Sequence, residues 1–450
     1  MVKEKDSFEG ISTLKLTKKI ILFSLPLMFS NVLQVLFHMA DIAVIGQFSG
    51  TDSLGAVGST AVAITIFTGF LIGVGGAINS ICSRHIGAAN TAELRRTIHT
   101  ALVLSLIIGL VLLTIGVSCS ESLLLLLGTK DELIGKATEY MRIYFLGMPA
   151  LALFNFGNAV YSAKGNTKKP LCFLTVAGIL NVILNLFFVV VCYLDVVGVA
   201  LASIISQYLS AILVLGSLFF EKDSVSVRFK EIALSPQSAK TILSLGVPSG
   251  LQNAIFYIAN LFVQAGINSF DAVMVAGNSA ASNADSLAYE MMNAVYVATG
   301  SFVGRSYGAG NKRDVKRCYL ICQIYSFAVG TAVGLTLLLL GPQFLSLFTS
   351  DVAVIDAGMQ KLSIMGLIYG ISAFMDNAIA GSRAIGKSAV PTVIVILGSC
   401  VFRIVWIFTV FAYFGTIASL YLLYLFSWSI TAIFEIVYFI RCYKKLKIQT

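Results

Sequence analysis

Charged residues are scarce in this chain. Only 12% of its 450 residues are Asp, Glu, Lys or Arg, whereas 57% are hydrophobic. Soluble domains carry about 25% charged residues, so this chain has too few to coat the surface of a soluble protein of its length. A hydrocarbon core of ~30 Å is crossed by about 20 apolar residues in a helix, and backbone groups in lipid must pair within that helix. The composition therefore predicts an all-α membrane protein.

Several chemical signatures are also missing. The eight cysteines show no CxxC spacing and the three histidines do not cluster, which argues against a zinc site. No GxxxxGK[ST] phosphate loop occurs, no nucleophile and base stand in a recognisable pattern, and the amino terminus lacks the features of a cleaved signal peptide. We therefore expect no enzyme activity and no cofactor beyond a transported ion.

Apolar segments run through the whole chain. Residues 11–19 precede them and are predicted to form a short amphipathic helix on the membrane surface. Twelve spans are predicted, at 20–46, 54–81, 97–117, 139–163, 170–192, 197–219, 241–268, 274–303, 318–341, 361–382, 389–412 and 416–440.

Basic residues are distributed unevenly between the two sides of the predicted membrane. If the amino terminus and every second loop are cytoplasmic, those segments contain 26 of the 31 Lys and Arg residues. Cytoplasmic loops are enriched in Lys and Arg, so this bias predicts an even number of spans with both termini in the cytoplasm. It also accounts for most of the net charge of +9, and no nucleic-acid partner is expected.

The sequence contains an internal repeat. SRHIGAAN at 83–90 returns as GRSYGAGN at 304–311, a shift of 221 residues that also carries Pro170 to Pro391. A shift of 222 carries Pro26 to Pro248. The repeat predicts an amino-terminal lobe of six helices at 1–220, a cytoplasmic linker at 221–240 and a carboxy-terminal lobe of six helices at 241–450. Lobes related by a pseudo-two-fold axis along the membrane normal are a recurrent transporter architecture, and a monomer suffices to form one.

Polar side chains inside the predicted spans identify candidate functional residues, since an Asp at a helix centre costs about 2.5–3.5 kcal/mol on insertion scales. Asp41 lies in the first span and would hold a proton, Na⁺ or a cationic substrate, unless it marks a helix end near the outer surface. His38, one turn earlier, is either its proton partner or a structural residue. Asn181 and Asn185 share one face of the fifth span, where their amides would bind an ion or a carboxylate, or join helices.

A second group of polar residues is predicted in the carboxy-terminal lobe. Glu290, Asp376 and Arg403 fall at similar depths near the middle of the membrane. They form either a functional polar site or a structural salt bridge in which Asp376 or Glu290 neutralises Arg403.

Motifs along nearly the full length of the chain resemble one transporter family. They are the pattern LP…AD-x-x-V-x-G in the first span, the paired G-A-x-N loops, NVILN followed by GVALAS, and SRAIGKSAVP in the second half. Taken together and in this order, they resemble bacterial multidrug and toxic compound extrusion (MATE) transporters. The resemblance implies a bacterial inner-membrane antiporter that exports organic cations, drugs or metabolites in exchange for H⁺ or Na⁺.

The resemblance also implies site residues. The family's first-helix Asp matches Asp41, its cation-site Asn matches Asn181, and two further positions correspond to Ser203 and Tyr140. The partner four residues after the Asn is commonly Asp in the family and is Asn185 here. The absence of this second acid favours protons, but Na⁺ bound at Asp41 and Asn181 stays open.

The second half departs from the family pattern. A Glu that one subgroup carries aligns roughly with Phe256, and its second-half acid falls near Ser372, one turn before Asp376. A second-half cation site is therefore in doubt. Two alternative functions remain. A lipid-linked oligosaccharide flippase of the same superfamily would need a strongly basic cavity, and a channel or structural membrane protein would show no substrate-linked ion flux.

Overall fold

A computed structural model describes Phe8 and residues 10–446, and nearly all of that part of the chain is helical. No strand occurs among these residues. The helices of the first half are α1 (Thr13–Phe48), α2 (Thr51–Gly87), α3 (Thr91–Leu126), α4 (Asp131–Phe145), α5 (Met148–Lys164), α6 (Lys168–Leu186) and α7 (Asp195–Phe220). Those of the second half are α8 (Pro236–Ile267), α9 (Ala272–Gly308), α10 (Lys312–Leu345), α11 (Val352–Ala384), α12 (Ala389–Val395), α13 (Phe402–Trp406), α14 (Ala412–Phe414) and α15 (Ile417–Lys444).

Most of these helices are long and apolar enough to cross a membrane. Within the described residues ten spans meet that description, or eleven if α4 and α5, which meet at a bend of 46°, are counted as one. The segment α12–α14 is a single span of 26 residues, since π-helical turns at Ile396–Val401 and Ile407–Phe411 connect its parts. The predicted eighth span corresponds to α9, which has 37 residues but carries Asp285 and Glu290 and is less apolar.

The prediction for residues 11–19 was wrong. The structure has no separate surface helix there, because α1 begins at Thr13 and runs without a break to Phe48. The predicted boundary between Lys19 and Ile20 falls within this continuous helix, and Pro26 is also accommodated inside it. The polar character of residues 11–19 suggested a separate helix, but a change in polarity does not by itself end a helix, whereas a residue such as Gly can.

Local structure reproduces the internal repeat. Asn90 caps α3 by accepting a hydrogen bond from the Glu93 backbone N–H at 3.1 Å, and Asn311 caps α10 in the same way through Asp314 at 3.0 Å. The helices before the next loops end in each half at a glycine with a left-handed backbone. Gly165 and Gly386 have φ values of 91° and 88°, a conformation that favours glycine.

Packing divides the chain into two compact units. The first-half unit contains Phe29–Ile86 and Asn90–Gly250, and the second-half unit contains the described residues up to Met28, Gly87–Ala89 and the residues from Leu251 onward. The units are defined by contacts between residues and not by the sequence repeat, and each of α1 and α8 is divided between them. The predicted lobe boundaries at 220 and 241 therefore stay a prediction.

The segment predicted as a linker packs against the first-half unit. Val225 and Val227 are each only 1% exposed and belong to a hydrophobic cluster of that unit. The backbone N–H of Arg228 donates to Nε2 of His99 at 3.0 Å, and that of Ser235 donates to the Thr100 hydroxyl at 3.1 Å. The segment is therefore held against α3 along its length.

Glycines bring two helices of the second-half unit into close contact. Gly330 and Gly334 of α10 are spaced as GxxxG, as are Gly366 and Gly370 of α11. A Cβ atom built on Gly334 would overlap the carbonyl oxygen of Gly366, and one on Gly370 would lie 2.6 Å from the Thr331 hydroxyl. Small residues at such positions let helix backbones approach closely in membranes.

We expect Gly334→Ala to destabilise the protein by about 1–3 kcal/mol, because the added methyl group would push against backbone that cannot turn away. The matched control is Gly216→Ala in α7, where an added Cβ meets nothing within 4 Å and removing a helical glycine stabilises by about 0.5–1 kcal/mol. Thermal unfolding of the detergent-solubilised protein measures both. Equal Tm values for the two variants would contradict this packing analysis.

Charged side chains cluster at the carboxy-terminal end of α7. Glu221 lies 2.8 Å from Lys164 and also pairs with Lys169. Burial by itself raises the pKa of Glu221, but the hydrogen bonds and charges of the two lysines outweigh it and lower the pKa from 4.5 to about 2.

We therefore expect Glu221→Gln to lower the Tm at neutral pH. A carboxylate whose pKa is lowered by folding stabilises the protein above its unfolded pKa of 4.5, and this contribution is lost as the pH falls towards about 2. The difference in Tm between wild type and variant should be constant above pH ~5 and shrink below it. A difference that grew on acidification would contradict the ion pairing.

Candidate functional site

Asp41 is buried in α1 and is held by polar side chains. The residue as a whole is 8% exposed. The Asn185 side-chain nitrogen donates to Asp41 Oδ1, and the Ser203 hydroxyl lies 3.4 Å from Oδ2 as a second donor. The site therefore joins α1, α6 and α7, and Asp41 lies inside α1, two turns before the helix ends at Phe48.

The two asparagines act together, as their spacing predicts. The Asn185 nitrogen also donates to Asn181 Oδ1 at 3.3 Å, so both amide hydrogens of Asn185 are used. Its own Oδ1 is buried and has no hydrogen-bond partner in the described part of the protein. The cluster thus presents an acceptor oxygen that nothing else in this unit satisfies.

Tyr140 lies close to this cluster. It is 2% exposed, interacts electrostatically with Asp41, and stacks against Tyr144 with ring centroids 6.0 Å apart. It packs in the same hydrophobic cluster as Val44 and Ile45, which follow Asp41 on α1. His38 is exposed on α1, one turn before Asp41.

Two local features shape this site. Gly178 of α6 faces the ring of Phe37 on α1, and any side chain at Gly178 would overlap that ring. Beyond Asn185, α6 passes into a π-helical turn at Phe187–Val191. Such turns are frequent at functional sites.

The second-lobe residues do not form one site. Arg403 is 0% exposed and donates from Nη1 to the Asn260 side-chain oxygen at 2.6 Å. Its guanidinium lies between the rings of Phe256 and Tyr424, 4.5 and 4.7 Å from their centroids. Among the described residues it forms no ion pair, so its proposed neutralisation by Asp376 or Glu290 was wrong. The positions of these three residues along their helices predicted a similar depth in the membrane, but they did not predict the direction in which each side chain points.

Glu290 and Asp376 have other neighbours. Glu290 is half-buried on α9 and accepts a hydrogen bond from Asn293 at 3.4 Å. Asp376 is half-buried on α11 and interacts electrostatically with Arg383 of the same helix. Their functional role stays a prediction.

The sequence reasoning missed two charged clusters in the second-half unit. Asp285 pairs with Lys361 at 2.6 Å and accepts a hydrogen bond from Tyr369, while Lys361 donates to Ser282 at 2.9 Å. Lys361 was visible in the sequence as a basic residue outside the cytoplasmic segments.

The other missed cluster surrounds Arg383. This arginine donates to Tyr296 and, at 2.9 Å, to Gln252. It also interacts electrostatically with Glu435, which is 0% exposed. Arg383 had been counted only as a loop charge that marks the cytoplasmic side.

A family model matches the chain twice. The MatE family model covers residues 26–187 and again 248–409, and the starts of the two matches are separated by the shift that carries Pro26 to Pro248. The chain belongs to the MatE family. Both the resemblance and the duplication seen in the sequence are thereby confirmed.

Curated relatives of this MATE transporter are bacterial. It is 28% identical to the probable multidrug resistance protein YpnP of Bacillus subtilis, over 78% of this chain and 79% of that one. It is 24% identical to the probable multidrug resistance protein NorM of Thermotoga maritima, over 89% and 87%. It is also 26% identical to the FAD transporter of Shewanella oneidensis, over 80% of each chain.

Solved structures show the same fold. An outward-facing multidrug resistance MATE family transporter of the MOP superfamily superposes with a TM-score of 0.88 and 23% identity, covering 98% of this chain and 99% of that one. A MOP superfamily transporter of Pyrococcus furiosus, described as having a binding pocket of reverse polarity, has a TM-score of 0.89 and 23% identity, covering 99% and 100%.

These comparisons confirm the all-α, two-lobe MATE fold and identify the chain as a multi-pass bacterial membrane transporter for substrate efflux. MATE proteins are a transporter family, and their substrates are small molecules. The relatives give no support to the flippase alternative. The coupling ion, the substrate and the roles of the site residues stay predictions.

We expect Asn185→Leu to lower the stability of this MATE transporter by about 1.5–3 kcal/mol, because a hydrogen bond to a buried carboxylate is lost. Ser203→Ala should cost less, since its hydroxyl is 3.4 Å from Asp41. The Tm values of both purified variants measure the order. A larger loss for Ser203→Ala would show that Asn185 is not the main partner of Asp41.

Proposed function

We propose that this MATE transporter exports organic cations, drugs or metabolites in exchange for H⁺ or Na⁺, and that Asp41 is the coupling carboxylate. The observation that carries this proposal is the buried cluster of Asp41, Asn185 and Ser203. Its hydrogen-bond partners are neutral, and among the described residues no basic side chain forms an ion pair with Asp41. A charged carboxylate in a site of low dielectric constant binds a cation strongly when no protein cation neutralises it.

The cluster suits either coupling ion. For a proton, Asp41 becomes a hydroxyl donor, and the Asn185 amide can turn its unpartnered oxygen to accept that hydrogen. For Na⁺, the oxygens of Asp41, Asn181, Asn185 and Ser203 are ligands of the kind that hard cations prefer. With one carboxylate in the cluster, a bound monovalent ion leaves the site neutral.

Antiport follows if ion and substrate compete. Asp41 then binds either the coupling ion or the cationic group of a substrate, and the bound state alters the packing of α1. Pro26 removes one backbone hydrogen bond from this helix, which makes it easier to bend. By linkage, an ion that weakens substrate binding is itself weakened equally by the substrate.

The membrane potential limits the stoichiometry. Moving one charge across 100 mV is worth about 2.3 kcal/mol. Exchange of a monovalent cation for one proton moves no net charge, so only the pH gradient drives it. Two coupling ions per substrate would recruit the potential as well.

The relatives support export of small molecules. Two of them bear the name of probable multidrug resistance proteins and one is an FAD transporter, so both drugs and metabolites belong in the proposal. The charge bias of the loops supports cytoplasmic termini in the bacterial inner membrane. We further propose that the protein acts as a monomer in the lipid bilayer, with no enzyme activity, nucleic-acid partner or cofactor.

Ion flux in inverted membrane vesicles tests this function. Energised vesicles that contain the protein and a pH-sensitive dye receive ethidium, with and without Na⁺. We expect ethidium to release protons through the wild-type protein and not through Asp41→Asn, because the amide cannot take up the proton. Release that depends on Na⁺ in place of the pH gradient would assign Na⁺ as the coupling ion.

The matched control is Asp52→Asn, which makes the same chemical change at an exposed position in the first turn of α2. This variant should behave as wild type. Ethidium-linked ion movement that survives in Asp41→Asn, or is absent from the folded wild-type protein under both gradients, would contradict the proposal.

A further inference from the structure

Arg403 occupies, in the second half, the position that Asn181 occupies in the first. The repeat shift is 221 residues at Pro170 and Pro391, and a π-helical turn at Ile396–Val401 then accommodates one extra residue. Beyond this turn the shift is 222, as in the family-model matches that end at 187 and 409. The order of buried, half-buried and exposed residues over 177–183 recurs without change over 399–405.

The surrounding helices correspond as well. In the first-half unit, Asn185 of α6 contacts Asp41 of α1. In the second-half unit, Arg403 of α13 contacts Asn260 of α8, and α8 is the repeat of α1 because Pro26 and Pro248 match. The same pair of helices thus holds a carboxylate with amides in one unit and a guanidinium with an amide in the other.

Arg403 carries a buried positive charge without a protein counter-charge. It is 0% exposed and lies in the middle of the span from Ala389 to Phe414. No carboxylate of the described residues forms an ion pair with it. The rings of Phe256 and Tyr424 stabilise the charge in part, but they leave it uncompensated, and an arginine in this situation attracts an anion.

One edge of the guanidinium is free of protein partners. Nη1 donates to Asn260, whereas Nε and Nη2 have no hydrogen-bond partner among the described residues. These two nitrogens lie on the same edge of the planar group. Parallel N–H donors along one edge are the arrangement that binds carboxylate and phosphate through two hydrogen bonds.

Two aromatic rings pack against the guanidinium group. Their centroids lie 4.5 and 4.7 Å from the guanidinium carbon, so they limit the space into which the group can move. Neither ring is charged, so these contacts leave Arg403 with its full positive charge.

We propose that Arg403 binds an anionic carboxylate or phosphate group of the transported molecule through its Nε and Nη2 edge. This inference rests on the proposed export function and names the chemistry of one substrate class. The bound group forms two charge-assisted hydrogen bonds, and Asn260 holds the arginine in place. The second-half unit thereby recognises negative charge at the position where the first-half unit recognises positive charge.

The sign of the substrate changes the energetics of exchange. Export of a singly charged anion against one inward proton moves two positive charges into the cell, so the membrane potential drives it. Exchange of a monovalent cation for a proton moves none. Anionic substrates should therefore be exported faster when a potential is imposed at constant pH difference.

Binding of two flavins that differ only in a phosphate tests the proposal. Riboflavin 5′-phosphate and riboflavin are both fluorescent, and each is titrated into the purified full-length protein in maltoside micelles. We expect the wild-type protein to prefer the phosphate by roughly ten- to hundred-fold, as for a charge-assisted pair of hydrogen bonds. Inorganic phosphate, the smallest probe, should raise the Tm at constant ionic strength.

Three variants locate the preference. Arg403→Met should bind both flavins equally and lose the phosphate-dependent rise in Tm. Arg403→Lys keeps the charge without the paired donors and should retain part of the preference. The matched control is Arg383→Met in the same unit, because that arginine already donates to Tyr296 and Gln252 and should not affect the preference.

The outcomes separate the sources of the anion. A phosphate preference that disappears when phosphatidylglycerol is added to the micelles would assign the edge to a lipid headgroup and overturn a transported ligand. Equal affinities in the wild type, a preference that persists in Arg403→Met or falls equally in Arg383→Met, or no flavin binding together with no phosphate effect on Tm, would also overturn the proposal.

A different measurement, the ethidium-linked ion flux, tests the proposed export function. If ethidium-linked ion flux depends on Asp41 while the flavin preference ignores Arg403, only this inference is wrong. If the flavin preference depends on Arg403 while no substrate moves any ion, the proposed antiport is wrong and the anion site remains.

Discussion

Lipid offers no hydrogen bonds, and this constraint determines where polar side chains lie in the protein. Backbone groups pair within the helices. Some polar side chains bond to a carbonyl of their own helix, as Ser24 does to Ile20, but a buried charge needs a stronger partner, and two such charges find one on a neighbouring helix. Asp41 finds Asn185 and Ser203, and Lys361 finds Asp285 and Ser282. The pairing is incomplete at Asn185 Oδ1 and at Nε and Nη2 of Arg403. The free energy of removing these atoms from water is not compensated by a hydrogen bond within the described part of the protein, and a bound ion or substrate can compensate it. At these two places a bound ion or substrate can therefore form polar contacts that the described residues do not supply.

Composition and periodicity were sufficient to predict the fold, because the solvent imposes it. Scarce charge, apolar segments of spanning length and the repeated Asn90 and Asn311 loops led to an all-α protein with a duplicated half. The Asp41 cluster was predictable in part, since a four-residue spacing places Asn181 and Asn185 on one helix face. Spacing alone did not show that the Asn185 amide donates both to the Asp41 carboxylate and to Asn181.

The second half was harder to predict because it depends on contacts between helices. The sequence predicts a similar depth for Glu290, Asp376 and Arg403, but depth does not determine the direction in which a side chain points around its helix. Arg403 is directed to Asn260 and two aromatic rings, and the one-residue insertion at Ile396–Val401 contributes to this by shifting the register of the span. No periodicity in the sequence indicates a π-helical turn. Asp285 and Lys361 were overlooked for a related reason, since their pairing joins α9 to α11 and leaves no pattern along the chain.

The internal repeat places different side chains at equivalent positions in the two halves, and this affects what each half can bind. Duplication places equivalent backbone positions in both halves, so the scaffold determines where a polar residue stands while the side chain determines its charge. Asn181 and Arg403 stand at such a pair of positions. A single substitution at one of them can change the sign of the group a site attracts without altering the helices that hold it. Proteins of one fold can therefore differ in the polarity of their binding sites, and in this chain the two halves differ from each other. The first holds the carboxylate of Asp41 among neutral donors, and the second holds a buried arginine with one edge unpaired among the described residues.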